Sequence, residues 1–137
     1  MDVVVLIGRV LFVMLFFGSA FGHFTQTEAM TAYAQSRGVP SPKAGVLAAG
    51  VLMVLGGVSV LLGVWADLGA LLLFIMLAPT ALLMHQFWVE TDPEAKQTEL
   101  IQFNKDLSLA GASLMLFAFF AHTEDLGLTI TGPLFSM

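Results

Sequence analysis

Four apolar runs, each near the length of a membrane-crossing helix, constrain this chain more than anything else in it. Val3 to Gly22 is interrupted by Arg9 alone, while Ala44 to Val64, Leu68 to Met84 and Leu107 to Ala121 carry no charge. A hydrocarbon core of about 30 Å takes roughly 20 apolar residues to cross as a helix. Within it every backbone N–H and C=O must be satisfied inside the segment, which bare irregular chain cannot do. The expected fold is an all-α integral membrane protein, a four-transmembrane-helix bundle forming a single domain over residues 1–137. The spans fall near 3–22, 44–64, 68–87 and 105–121, the last recruiting Asn104 to Asp106 as its first turn. Composition agrees: 11% of residues are charged against roughly 25% in a soluble domain, and mean hydropathy is +0.90. The bilayer is thus the first expected partner.

Nucleic acid is excluded as a partner, since five basic against ten acidic residues leave no basic face for phosphates. The absence of cysteine removes disulfides, thiolate metal sites and thiol nucleophiles. The first run is expected to stay as a helix rather than be cleaved as a secretory signal, because position 2 is Asp and the apolar stretch is nearly span length.

The connections are unequal. Trp65 to Asp67 is all that joins the second and third runs, which forces a tight antiparallel hairpin. His23 to Lys43 and Trp88 to Lys105 are long and meet at the other end. In the first of these, Thr25 and Glu28 have the T-x-x-E spacing of a capping box. A short interfacial helix is expected to follow, with Met30, Tyr33 and Ala34 facing inward. In the second, Thr91 or Asp92 can cap a helix and Pro93 suits its first position. Arg37, Lys43, Lys96 and Lys105 lie in these loops against Arg9 alone at the other end, so the positive-inside rule puts the long loops in the cytoplasm and the termini outside.

Small residues mark close helix contact. Gly18 and Gly22 form a G-x-x-x-G, and Gly45, Ala49, Gly56, Gly57, Ser59 and Gly63 run along the second span; ordinary intrachain packing is favoured over a dimer face. Pro79 should bend the third span, with Thr80 able to meet a freed backbone group.

Ionisable groups in or beside lipid are costly to keep, so function is sought among them. Arg9 is two turns into the first span. Asp2, Asp67, Glu124 and Asp125 are its expected ion-pair partners, a structural pair being favoured over a ligand-binding arginine. At the opposite end His23, His85, Asn104, Lys105 and Asp106 should converge, with Glu28 and Gln86 nearby, over an aromatic interior of Phe16, Phe17, Phe21, Phe24, Phe87, Trp88 and Phe103. Such a rim suits a quinone head group: its carbonyls need donors, its ring takes aromatic neighbours and its tail needs access to lipid. Arg9, His23, His85, Asn104 and Lys105 are the candidate cofactor-binding residues, with quinone the candidate cofactor. The same histidines can instead simply hydrogen-bond interfacial loops. Haem ligation and a His/carboxylate metal site are weaker alternatives, because no H-x-x-x-H or E-x-x-H spacing is present. No catalytic residues are assigned, since no nucleophile elbow, phosphate loop or dinucleotide fingerprint occurs.

Several stretches together resemble the DoxX family: "GRVLFVMLFFGSAFGHF" from Gly8 to Phe24, "RGVPSP" from Arg37 to Pro42, the segment from Val51 to Phe87, and "QFNKDLSLAGASLML" from Gln102 to Leu116. The resemblance implies a four-helix inner-membrane protein of bacteria, akin to membrane subunits of thiosulfate:quinone oxidoreductase and to proteins tied to oxidative stress. Arg9, His85 and Asn104 fall on positions similar to the family's. Where many relatives carry a lysine after the first helix, this chain has His23 and Phe24, so that lysine's role does not transfer. The leading expectation is a small membrane subunit supporting a quinone-linked redox complex, not catalytic alone, and docked to other membrane subunits. A purely structural subunit and a carrier for a small apolar molecule are the alternatives.

Overall fold

The computed structural model describes every residue except Glu124 and Met137. Five helices follow one another: α1 (Asp2–Thr25), α2 (Thr27–Ser36), α3 (Pro42–Leu62), α4 (Ala66–Met84) and α5 (Pro93–His122), with a 3₁₀ turn at Phe87–Val89 between the last two. Among the described residues there is no strand. Three segments are long and apolar enough to cross a membrane: Asp2–Thr25, Pro42–Leu62 and Ala66–Val89. Helix α5 begins where the sequence places it, the Asp92 side chain accepting from the Ala95 N–H at 2.8 Å with Pro93 in the first turn.

Two boundaries differ from expectation. The capping box does not form, because α1 runs on through Thr25 and leaves only Gln26 before α2. A helical Thr25 cannot act as an N-cap, and its hydroxyl donates instead to the Phe21 carbonyl at 2.7 Å. Helix α4 stops at Met84 rather than continuing to Phe87, since His85 (φ −112°, ψ 54°) leaves helical geometry. The rings of Phe87 and Trp88 then pack edge to face with each other and with Phe103 of α5.

Helices α3 and α4 form the centre, with α1 and α2 packed on α3 and α5 on α4. The central seam is closed by glycine. A Cβ on Gly56 would stand 2.9 Å from the Gly69 carbonyl oxygen, and one on Gly69 would stand 2.9 Å from that of Gly56, so the two backbones touch. Gly57 makes room for the Phe17 ring and Gly50 for the Phe24 ring. The G-x-x-x-G of α1 is used less: Gly18 has open space around it and Gly22 meets only Met30. Val13, Phe16, Val60, Ala70 and Leu73 are the best buried of a core that all four long helices share. Outside it the surface is apolar, with Leu11, Phe21 and Met115 well exposed, as a lipid-facing surface requires.

The end of α3 is where Arg9 acts. An α-helix leaves its last four carbonyls without helical donors. In α3 the Ser59 carbonyl takes the N–H groups of Gly63 and Val64, the former in the left-handed conformation with φ 66°. Arg9 supplies the next two, its Nε donating to Val60 O at 2.9 Å and its Nη2 to Leu61 O. Leu62 O accepts from the Ile130 N–H at 3.3 Å. The remaining Arg9 donor, Nη1, reaches Leu128 O at 2.9 Å, which holds the chain after α5 across this end. Arg9 is 3% exposed, and its guanidinium sits at the negative pole of the α3 dipole. Carboxylate pairing is therefore not what satisfies it. Asp67 is fully buried and accepts from the Leu134 and Phe135 N–H groups at 3.0 and 2.6 Å, Asp2 lies against Gly127, Asp125 is exposed, and Glu124 lies outside the described residues. Main-chain carbonyls win because they are the unsatisfied groups in reach.

Replacing Arg9 with Met leaves buried carbonyls unsatisfied at about 1–3 kcal/mol each. The expected result is a clear drop in the detergent melting temperature and proteolysis of residues 125–136, read by mass spectrometry. Gly69→Val should separate α3 from α4 and lower stability by roughly 1–3 kcal/mol, seen as a lower Tm, whereas Gly18→Val should leave Tm unchanged.

Candidate functional site

At the other end a cavity of about 560 Å³ opens between α2, α3 and α4, within the range of small-molecule sites. Its walls are aliphatic and sulfur-bearing: Val46, Ala49 and Leu52 from α3, Ile75, Met76 and Leu83 from α4, and Met30 from α2. The small side chains of α3 create the space. Pro79 lies on the wall and brings no N–H for the Ile75 carbonyl four residues earlier. The Thr80 hydroxyl goes to the following carbonyl, Met76 O, at 2.8 Å.

The titratable side chains on the cavity wall are His23, Tyr33 and His85. His85 follows the last turn of α4, which aims its ring at α5. Its Nδ1 lies 2.8 Å from Glu99 Oε2 and its Nε2 lies 3.5 Å from Asp106 Oδ2. Glu99 and Asp106 are two helical turns apart and so share one face of α5. Arg37, which caps the end of α2, follows Tyr33 by one turn, with its guanidinium 5.1 Å above the phenol ring. The Tyr33 hydroxyl donates to Glu99 at 2.5 Å and accepts from Arg37 at 3.0 Å. Arg37 also pairs with Glu90 at 2.6 Å and Glu99 at 3.1 Å. The network thus ties α2, the α4–α5 connection and α5 together above the cavity.

Its electrostatics are mutually supporting. Burial pushes the Glu99 carboxyl up, but hydrogen bonds from Tyr33 and His85 and the charges of Arg37 and His85 outweigh this and hold it below its ordinary range. Burial and the neighbouring Glu99 push the Tyr33 phenol up. Burial works against the Arg37 charge, yet bonding to Tyr33 and Glu90 leaves its pKa raised. Both shifts favour the charged forms of Glu99 and Arg37, which pair with each other across the rim.

Of the five candidate residues, His23 and His85 line the cavity. Arg9 does not, being committed to the far end of α3. Asn104 and Lys105 are exposed and outside the cavity; Lys105 contacts Gln102 and, at 3.6 Å, Asp106. Asp106, one position on, is the buried member of that trio. Glu28 is exposed and Gln86 does not line the cavity. The expected aromatic interior is elsewhere too: among the described residues Tyr33 is the one Phe, Tyr or Trp on the wall, while Phe87, Trp88 and Phe103 cluster with one another. Sequence reasoning missed Tyr33 as a polar group, and it missed Arg37, Glu90 and Glu99. The available signals were the four-residue spacing of Tyr33 and Arg37 and the seven-residue spacing of Glu99 and Asp106. Among the described residues no three His, Asp or Glu side chains converge as a metal site.

No curated protein and no solved structure matches the chain. The DoxX family model matches residues 4–86, covering α1 to α4 with His23, Tyr33, Arg37 and His85. On that match, and on the apolar helices that fit it to a multi-pass place in the membrane, this chain belongs to the DoxX family.

Proposed function

We propose that this protein is a small bacterial inner-membrane subunit that supports a quinone-linked redox complex by binding a quinone or quinol head group in the cavity beneath His85. The observation that carries the reading is a largely aliphatic cavity of about 560 Å³ with His23, Tyr33 and His85 on its wall. An isoprenoid tail suits the aliphatic walls and a small polar ring suits the three side chains. A neighbouring redox subunit completes the reaction in this reading. In this reading α5 is the fourth span. Thirty helical residues extend about 45 Å, enough for Lys105 to Ala121 to cross while the first turns stand in water beside an interfacial α2. The rim then faces the cytoplasm, an orientation that the basic residues of the long loops support.

The test is extraction in mild detergent with identification of everything retained. Roughly one quinone or quinol per chain together with a redox partner is expected, and His85→Ala should weaken that binding about tenfold by removing the side chain that closes the rim with Glu99. Equal absence of quinone and quinol from both proteins would defeat the reading in favour of a structural subunit. Because the chain has no cysteine, Ser36→Cys and Ser136→Cys give clean topology probes. An impermeant maleimide should label Ser136→Cys on spheroplasts and Ser36→Cys only after lysis; labelling of both from one side would remove the fourth span.

The depressed Glu99 carboxyl fixes a sign for pH. A carboxylate lowered on folding contributes stability above its unfolded pKa and loses it as pH falls through the folded value. The Tm difference between the unmodified protein and Glu99→Gln should therefore be constant from pH 8 to about 5 and vanish at lower pH.

A further inference from the structure

The four side-chain donors on the cavity wall are all already engaged by protein acceptors. His23 Nδ1 is 2.8 Å from Ser19 O; a carbonyl only accepts, so this nitrogen carries the proton and donates. The Tyr33 hydroxyl donates to Glu99, the Thr80 hydroxyl to Met76 O, and His85 Nδ1 faces the Glu99 carboxylate while its Nε2 faces that of Asp106. Arg37, the nearest cation, is held by Glu90, Glu99 and Tyr33. What the wall still offers is acceptors. Proton placement on Nδ1 leaves His23 Nε2 as a bare lone pair in the neutral ring, and Pro79 supplies no N–H to the Ile75 carbonyl.

We infer that the cavity selects the hydroxyl-bearing, reduced ring, a quinol, over the corresponding quinone, with His23 Nε2 as the acceptor that makes the selection. A quinol brings two O–H donors to a wall of acceptors. A quinone brings only carbonyl oxygens, which must either go unpaired in an apolar cavity or displace a donor from the rim, and unpaired buried polar groups are what binding sites discriminate against most strongly. The inference rests on the quinone-site reading and adds its redox-state preference and the residue responsible.

The experiment is equilibrium binding of decylubiquinol, kept reduced under argon, and of decylubiquinone to the purified full chain in detergent. The quinol is expected to bind roughly tenfold or more tightly. His23→Leu should abolish the preference by weakening quinol alone. His23→Gln, whose amide can donate as well as accept, should tighten quinone binding and so narrow the preference, and unchanged melting temperatures would show that each variant is folded. Equal or tighter binding of quinone by the unmodified protein would overturn the selectivity while leaving the site in place, as would a preference that survives in folded His23→Leu. Binding of neither ligand would overturn the site and the selectivity together.

Discussion

The constraint on which the rest of the structure depends is the need to satisfy the carbonyls that end α3. Burial keeps bulk water from these carbonyls, and the short turn to α4 folds back only as far as Ser59 O. Arg9 solves the problem from a different helix. Its planar fork donates to adjacent carbonyls of α3 and to the chain beyond α5, so one side chain fastens α1, α3 and the C-terminal segment. Asp67 repeats the device with opposite sign, accepting main-chain N–H groups from the same segment at the start of α4. Two buried charges thus serve backbone rather than each other, each near the helix pole that favours it.

The two ends of the molecule are therefore built on different principles. One is closed by charge-to-backbone hydrogen bonds with little empty space. The other leaves a cavity and closes it with side chains from helices far apart in sequence. The family match of residues 4–86 includes Arg9 and the α3–α4 hairpin but stops before Glu90, Glu99 and Asp106, so the acidic half of the rim lies beyond the part of the chain that the match covers.

Much of the architecture was legible because hydropathy over twenty residues is a strong signal. The apolar runs at the first three spans became α1, α3 and α4, and Asp92 with Pro93 marked the start of α5. The site was less legible, since it depends on helical phase. Asn104, Lys105 and Asp106 are adjacent in sequence but about 100° apart around α5, and only Asp106 turns inward. Glu99 was passed over because a carboxylate in a polar stretch gives no hint that Tyr33, Arg37 and His85 will meet it. The partners of Arg9 were misread for a related reason: sequence displays carboxylates and hides carbonyls, which every residue carries.

The contact of Gly56 with Gly69 has a mechanical meaning. Two backbones in van der Waals contact cannot approach further, and they resist parting because the contact is continuous along the seam. The α3–α4 pair is the back wall of the cavity, so that wall is stiff. Helix α2 is joined to α1 through Gln26 and is tied to α5 by Tyr33 and by Arg37, the residue that follows it. Compliance is thus confined to the front wall, and the volume available to a guest is set by how tightly one ten-residue helix is latched.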